Sequence, residues 1–412
     1  MTFLKESIIY GLSNGLIALF QFGMTLLFSS LLGPVGFGNF SIFLVCYMAF
    51  SMLIGMGLSA AVQRSYFEMS TNDFKVLLST VIKSIIYFTL LVVLVILISP
   101  ISITKYFLLP KKWILYSVIT STGQIFIQLI LIVLQSQRRT FNYLFFIFLQ
   151  LVILFTSAII FSLSTSVNWE YAIFAQSVTP IITGVVVIFF LLRDGCSANA
   201  WSTKLIREAL AYSFPLVPHQ LSSWVMTMAD RFIIGYYFGV AHVGVYSLSF
   251  QIAQSYNIVS NSLNQAVIPI LFRKLAATQL DSVEIKKINL MYMLGLLLFL
   301  CVFIVVFLYS AKYFIEAEYK SVTSYTPLIL ISFFFLAASR IGANYLMYNN
   351  KTKILSYITL VSSVLSISLN FLLVPLYGEI AACWVSVCTF LILFLITNYY
   401  AYLNEVAKHK QC

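Results

Sequence analysis

The chain has 412 residues, 61% of them hydrophobic and only 9% charged, with a mean hydropathy of +0.97, which excludes a water-soluble globular domain. A net charge of +11 would point to nucleic acid in a soluble chain, but here the basic residues fall in short connections between apolar runs, so no nucleic-acid partner is expected. The six cysteines are scattered without CxxC or Cys/His spacing, so neither a disulfide framework nor a zinc site is indicated.

Twelve apolar runs of membrane-spanning length follow one another at about 8–31, 40–63, 77–99, 113–136, 142–163, 170–192, 209–238, 243–271, 288–309, 323–348, 354–374 and 379–403. The expected fold is therefore an all-α polytopic membrane protein. The first run has no small-residue cleavage site and reads as a retained helix. It carries a narrow polar stripe of Ser7, Asn14, Gln21 and Thr25, and the fourth run a tighter one of Ser121, Gln124, Gln128 and Gln135. The longest polar inward stretch, Arg193 to Glu208, divides the chain into a 1–200 bundle and a 201–412 bundle of six helices each.

The seventh run is interrupted near its inner end by Pro215 and Pro218, a bend of the kind transporter helices use. His219, Ser223, Thr227 and Asp230 follow on one helical face, with Arg231 beside Asp230. As i and i+1 on a regular helix, Asp230 and Arg231 point in different directions and need not pair. Both lie near the outer end of the run, where a structural cap or a headgroup contact competes with a role in transport. In the eighth run Gln251, Gln254, Asn257, Asn261, Asn264 and Gln265 occupy one face. Six amides exceed what interhelical hydrogen bonding needs, so this face is expected to be hydrated. Arg340 is buried within the tenth run, in its inner half. The plain reading of an intramembrane Arg is a side chain snorkelling to the headgroups; the functional one is a receptor for an anion.

Numbering the connections alternately puts 17 basic residues on one side and 6 on the other, with Arg340 in between. The positive-inside rule then places both termini in the cytoplasm. The segment Leu32-Gly33-Pro34-Val35-Gly36-Phe37-Gly38-Asn39-Phe40-Ser41 is echoed 206 residues later by Phe238-Gly239-Val240-Ala241-His242-Val243-Gly244-Val245-Tyr246-Ser247. An offset of half the chain, with an even number of spans per half, implies two parallel pseudo-symmetric six-helix bundles and transport by alternating access. No GxxxxGK[ST], HExxH or Gly-x-Ser-x-Gly is present, so neither an ATP-driven motor nor an enzyme is expected.

With these residues in hand, the chain resembles the polysaccharide transporters of the multidrug/oligosaccharidyl-lipid/polysaccharide exporter superfamily, in particular the O-antigen repeat-unit flippases. The resemblance is carried by Leu31 to Gly38, by Tyr212-Ser213-Phe214-Pro215-Leu216 leading to Ala229-Asp230-Arg231-Phe232-Ile233-Ile234-Gly235, by Val243 to Ser247, and by Asn370-Phe371-Leu372-Leu373-Val374-Pro375-Leu376-Tyr377-Gly378. It implies a MATE-like transporter of the bacterial inner membrane that moves an undecaprenyl-pyrophosphate-linked oligosaccharide from the cytoplasmic to the periplasmic leaflet. No cofactor is implied, H+ and Na+ being the candidate coupling ions. The implied partners are the lipid-linked oligosaccharide, membrane lipids, and a polysaccharide polymerase with its chain-length regulator, the transporter itself being monomeric. On this resemblance Arg340 and Arg231 become candidates for the pyrophosphate. Asp230 and His219 become candidates for ion coupling. The amides Gln251, Gln254, Asn257, Asn261, Asn264, Gln265, Gln124, Gln128, Asn14 and Gln21 become candidates for facing sugar hydroxyls. An ion-coupled drug antiporter of the same superfamily is the alternative, disfavoured by the lack of a carboxylate near any span centre.

Overall fold

A computed structural model describes residues 2–163, 168–195, 200–275 and 282–409. The chain is an all-α polytopic membrane protein. In order, the helices are α1 (Thr2–Gly55), α2 (Leu58–Glu68), α3 (Thr71–Ile98), α4 (Ile103–Phe107), α5 (Lys111–Ser136), α6 (Thr140–Leu163), α7 (Trp169–Arg193), α8 (Thr203–Ser213), α9 (Val217–Met228), α10 (Asp230–Phe238), α11 (Val240–Leu275), α12 (Ser282–Phe314), α13 (Val322–Tyr348), α14 (Thr352–Tyr377) and α15 (Glu379–His409). Short 3-10 turns occupy Phe214–Leu216 and Ala317–Tyr319.

Among the described residues, nine helices are long and apolar enough to cross a membrane by themselves. The twelve expected runs differ from this in three places, each with a local cause. The 54 residues of α1 would measure about 80 Å if straight, more than twice the hydrocarbon thickness. Gly33 breaks the helix with φ 61°, ψ 178°, dividing it into stretches 2–32 and 34–55. The seventh run is not one helix but four pieces: the end of α8, the Phe214–Leu216 turn with Pro215, then α9, then α10 beginning at Asp230. The eighth run, α11, is a continuous 36-residue helix whose amides keep it from qualifying on apolarity. The 206-residue repeat is visible in the backbone, because Gly239 adopts φ 90°, ψ 170° between α10 and α11 as Gly33 does within α1. Only glycine enters this region without strain.

The chain separates into two compact units, Met1–Leu221 and Ser222–Cys412. In the first, α5 packs most extensively on α7 and also on α1. The amphipathic α8 lies against α2 and α3, with the Lys83 Nζ donating to Ala200 O at 2.8 Å and Arg64 over the Tyr212 ring at 4.7 Å. In the second, α13 packs on α15 and α11. A Cβ added to Gly342 would meet the Thr397 backbone at 2.6 Å, so α13 and α15 come together closely enough to require glycine there. Outward faces of α3 and α12, with Leu94, Ile98, Leu298 and Val305 exposed, are apolar because lipid is their solvent.

Candidate functional site

Within the second unit, Arg340 lies 18 residues along α13 from Val322, about 27 Å at 1.5 Å per residue. It is half-buried, and its guanidinium reaches across to α11. Nη2 donates to Asn257 Oδ1 on α11 at 2.6 Å and Nη1 to Ser260 Oγ at 3.2 Å. The Tyr292 phenol on α12 donates to Ala337 O of α13 at 3.4 Å. Among the described residues no carboxylate forms a salt bridge with Arg340. A hydrogen bond to a charged group is worth about 1.5–3 kcal/mol, so an amide and a hydroxyl hold the cation in place while leaving its charge uncancelled. One turn on, Asn344 Nδ2 donates to Asn264 Oδ1 at 2.9 Å, both residues buried.

The second polar cluster of this unit forms where α9 ends and α10 begins. Asp230 and Arg231 are both buried and pair directly, Nη1 to Oδ1 at 2.8 Å. This differs from the reading of them as neighbours facing apart. Both residues lie in the first turn of α10, and the long Arg231 side chain folds back along the helix toward Thr227 O and Asp230 Oδ1, so the pair forms without any departure from the helical angular step. Arg231 Nη1 also donates to Thr227 O at 2.6 Å, and the guanidinium lies over the Phe250 ring at 4.2 Å and the Tyr246 ring at 5.4 Å. The Tyr246 hydroxyl donates to Asp230 Oδ2. The cluster is thus a neutral unit closed by its own members.

In the first unit a small cavity of about 30 Å³ is lined by Gln21 of α1, Gln124 of α5, Gln150 of α6, Gln176 and Thr179 of α7, and Tyr47. The Thr179 hydroxyl is buried without a hydrogen-bond partner. That exceeds the roughly 10–15 Å³ a water needs, and the site has several polar groups to hold one.

The family model described as "Polysaccharide biosynthesis protein" matches residues 3–275, more than half of the 412 residues. The chain belongs to the polysaccharide biosynthesis protein family. A second model, MatE, matches residues 215–372. A protein of the Lsg locus of Haemophilus influenzae is 23% identical over 381 residues, covering 89% of this chain and 90% of that protein. A membrane protein of the same organism is also 23% identical, over 89% of each chain. Among solved structures, a multidrug resistance MATE family transporter of the MOP superfamily, inward-facing, superposes with a TM-score of 0.75 at 11% identity over 95% of each chain. The lipid II flippase MurJ, in an inward closed conformation, gives 0.73 at 14% identity over 97% of this chain and 87% of its own. The family member described here therefore shares the fold of these MATE and MurJ structures.

The remaining candidates distribute unevenly in this polysaccharide biosynthesis family protein. Of the α11 amides, Asn257 and Asn264 turn onto α13, Gln251 and Gln254 are half-buried, and Asn261 and Gln265 are exposed. The stripe is therefore split between a helix seam and an open edge, since amides also serve as interhelical glue in lipid. Gln21 and Gln124 share one cavity, whereas Gln128 is exposed and lies outside it. The side chain of Asn14 lies outside the described residues. His219 is half-buried on α9 and belongs to the first unit, whereas Asp230 belongs to the second. Residues not singled out from sequence are Tyr246, Tyr292, Ser260, Asn344, Gln150 and Gln176. Asn344 was legible as the residue one turn after Arg340. Tyr246 stands inside the repeated glycine segment.

Proposed function

We propose that this protein is a flippase that carries an undecaprenyl-pyrophosphate-linked oligosaccharide, such as an O-antigen repeat unit, from the cytoplasmic to the periplasmic leaflet of a bacterial inner membrane. It does so by alternating access without ATP hydrolysis, with both termini in the cytoplasm. The observation that carries the reading is the seat of Arg340, a deeply placed cation held only by neutral groups among the described residues. An unpaired ion in the membrane interior costs several kcal/mol or more, and a passing phosphate would repay that cost at the moment of transport. Family membership supports the polysaccharide pathway, and the likeness to a lipid II flippase supports a polyprenyl-linked cargo in which the tail stays in lipid. An anion leaving a negative cytoplasm gains about 2.3 kcal/mol per charge per 100 mV.

In this reading the half-buried and exposed amides of α11 meet sugar hydroxyls. Asp230 takes up the coupling proton, which would release Arg231 from its partner toward the phosphate, with His219 as a second titrating group. The polymerase and chain-length regulator act on the product, and the transporter works as a monomer. The test is a gene deletion in a strain with no redundant flippase. Lipid-linked repeat units accumulate on the cytoplasmic leaflet and surface polysaccharide is lost; unchanged surface polysaccharide rejects the proposal. The alternative, an ion-coupled drug antiporter, is separated by vesicles holding the purified protein. Proton-driven uptake of a cationic dye, with no movement of polyprenyl-pyrophosphate sugars, would favour it.

A further inference from the structure

A larger cavity, about 330 Å³, opens at one end of the first unit among the ends of α2, α3, α5, α6 and α7. Its volume is at the lower end for small-molecule sites, about 300–1,000 Å³. One wall is apolar, with Leu78, Val133 and Phe190. The polar part of the lining includes Lys75, Gln137, Arg139 and Asp194.

Three groups in that part are unused. The Lys75 ammonium is half-buried and makes no salt bridge among the described residues. It lies so close to Gly195 that a Cβ there would meet Nζ at 2.7 Å, so the absence of a side chain at 195 makes room for the cation. Arg139 spends a single nitrogen, Nη1, on both oxygens of Asp194 at 2.9 Å each. Its Nε and Nη2 donate to no described residue. Gln137 Oε1 is buried with no hydrogen-bond partner. Two cations against one carboxylate leave a net positive lining, with an orphan acceptor beside it.

We propose that this cavity seats the headgroup of an anionic membrane phospholipid with a hydroxylated headgroup, namely phosphatidylglycerol. The phosphodiester oxygens accept from Lys75 Nζ and from the free edge of the Arg139 fork. The glycerol hydroxyls donate to Gln137 Oε1 and Asp194, the two acceptors that a bare phosphate would leave unused. The acyl chains leave over the apolar wall. Helix ends with basic residues on the side carrying the positive excess are where a headgroup sits.

The experiment uses the full-length protein in phosphatidylcholine nanodiscs, with phosphatidylglycerol, phosphatidic acid or inorganic phosphate added, reading bound lipid by native mass spectrometry and the thermal midpoint. Phosphatidylglycerol is expected to be retained and to raise the midpoint. Lys75→Gln should weaken its binding about tenfold, the effect of one charge-assisted hydrogen bond, Lys75→Arg should retain it, and Lys320→Gln in the other unit should leave it unchanged. Undiminished binding in Lys75→Gln, an equal loss in Lys320→Gln, or equal stabilisation by inorganic phosphate overturns the proposal. Gln137→Leu keeps both cations and should abolish the preference for phosphatidylglycerol over phosphatidic acid. A retained preference overturns it independently of how Lys75→Gln folds.

Discussion

Arg340 donates to the carboxamide oxygen of Asn257 at 2.6 Å, an arrangement in which a neutral amide occupies the place a carboxylate would take in an ordinary buried ion pair. The difference decides what the guanidinium can do. A carboxylate would cancel the charge and satisfy the fork; the amide orients it and leaves the charge available.

Substitution of Asn257 by Asp tests this directly. Asn257→Asp is expected to keep or raise the thermal midpoint while lowering translocation of a polyprenyl-pyrophosphate sugar at least tenfold in reconstituted vesicles, because the cation acquires a permanent partner. Arg340→Ala should also abolish translocation at normal protein level, and Arg340→Lys should retain part of it, since an ammonium keeps the charge without the fork. Full transport in both Asn257→Asp and Arg340→Ala would reduce Arg340 to an anchor.

The Asp230 cluster predicts a different signature. Removing either member of a buried pair costs about 3–5 kcal/mol, so Asp230→Ala and Arg231→Ala should each lower the thermal midpoint strongly in detergent. The double variant should cost clearly less than the two together, giving a large coupling energy. Tyr246→Phe removes one donor to Asp230 and should cost about 1–3 kcal/mol. Additive effects in the cycle would show that the pair does not act as a unit.

Asn264 and Asn344 are predicted to be structural. Asn264→Leu strands the buried Asn344 amide and should cost about 1–3 kcal/mol, whereas the double change to Leu should be close to neutral. Transport at a matched protein level should remain near wild type in the double variant. A selective loss of transport there would place these amides in the sugar path.

The repeat predicts that Gly33 and Gly239 are equivalent. Alanine at either should cost about 1–3 kcal/mol through backbone strain, read as a fall in folded yield and thermal midpoint. A neutral substitution at one site with a severe one at the other would mean that the two turns are used differently. Their surroundings do differ, because Tyr246 of the second copy binds Asp230 while its counterpart Phe40 packs edge-on against Phe28 with centroids 5.0 Å apart.

The amino-acid sequence by itself determined the membrane class, the half-chain repeat centred on Gly33 and Gly239, the interruption of the seventh run at Pro215, and the singular position of Arg340. These follow from composition, periodicity and local backbone chemistry, all of which are properties of a segment. Tertiary structure alone decided that Asn257 serves Arg340 while Asn264 serves Asn344, that Gln21 and Gln124 meet Gln150 and Gln176 around one cavity, and that Asp230 turns toward both Arg231 and Tyr246. Periodicity tells which face of a helix is polar, but not which neighbour lies against that face. The pairing of adjacent residues further depends on how the long Arg231 side chain folds back along its own helix toward Thr227 O and Asp230, which no spacing rule anticipates.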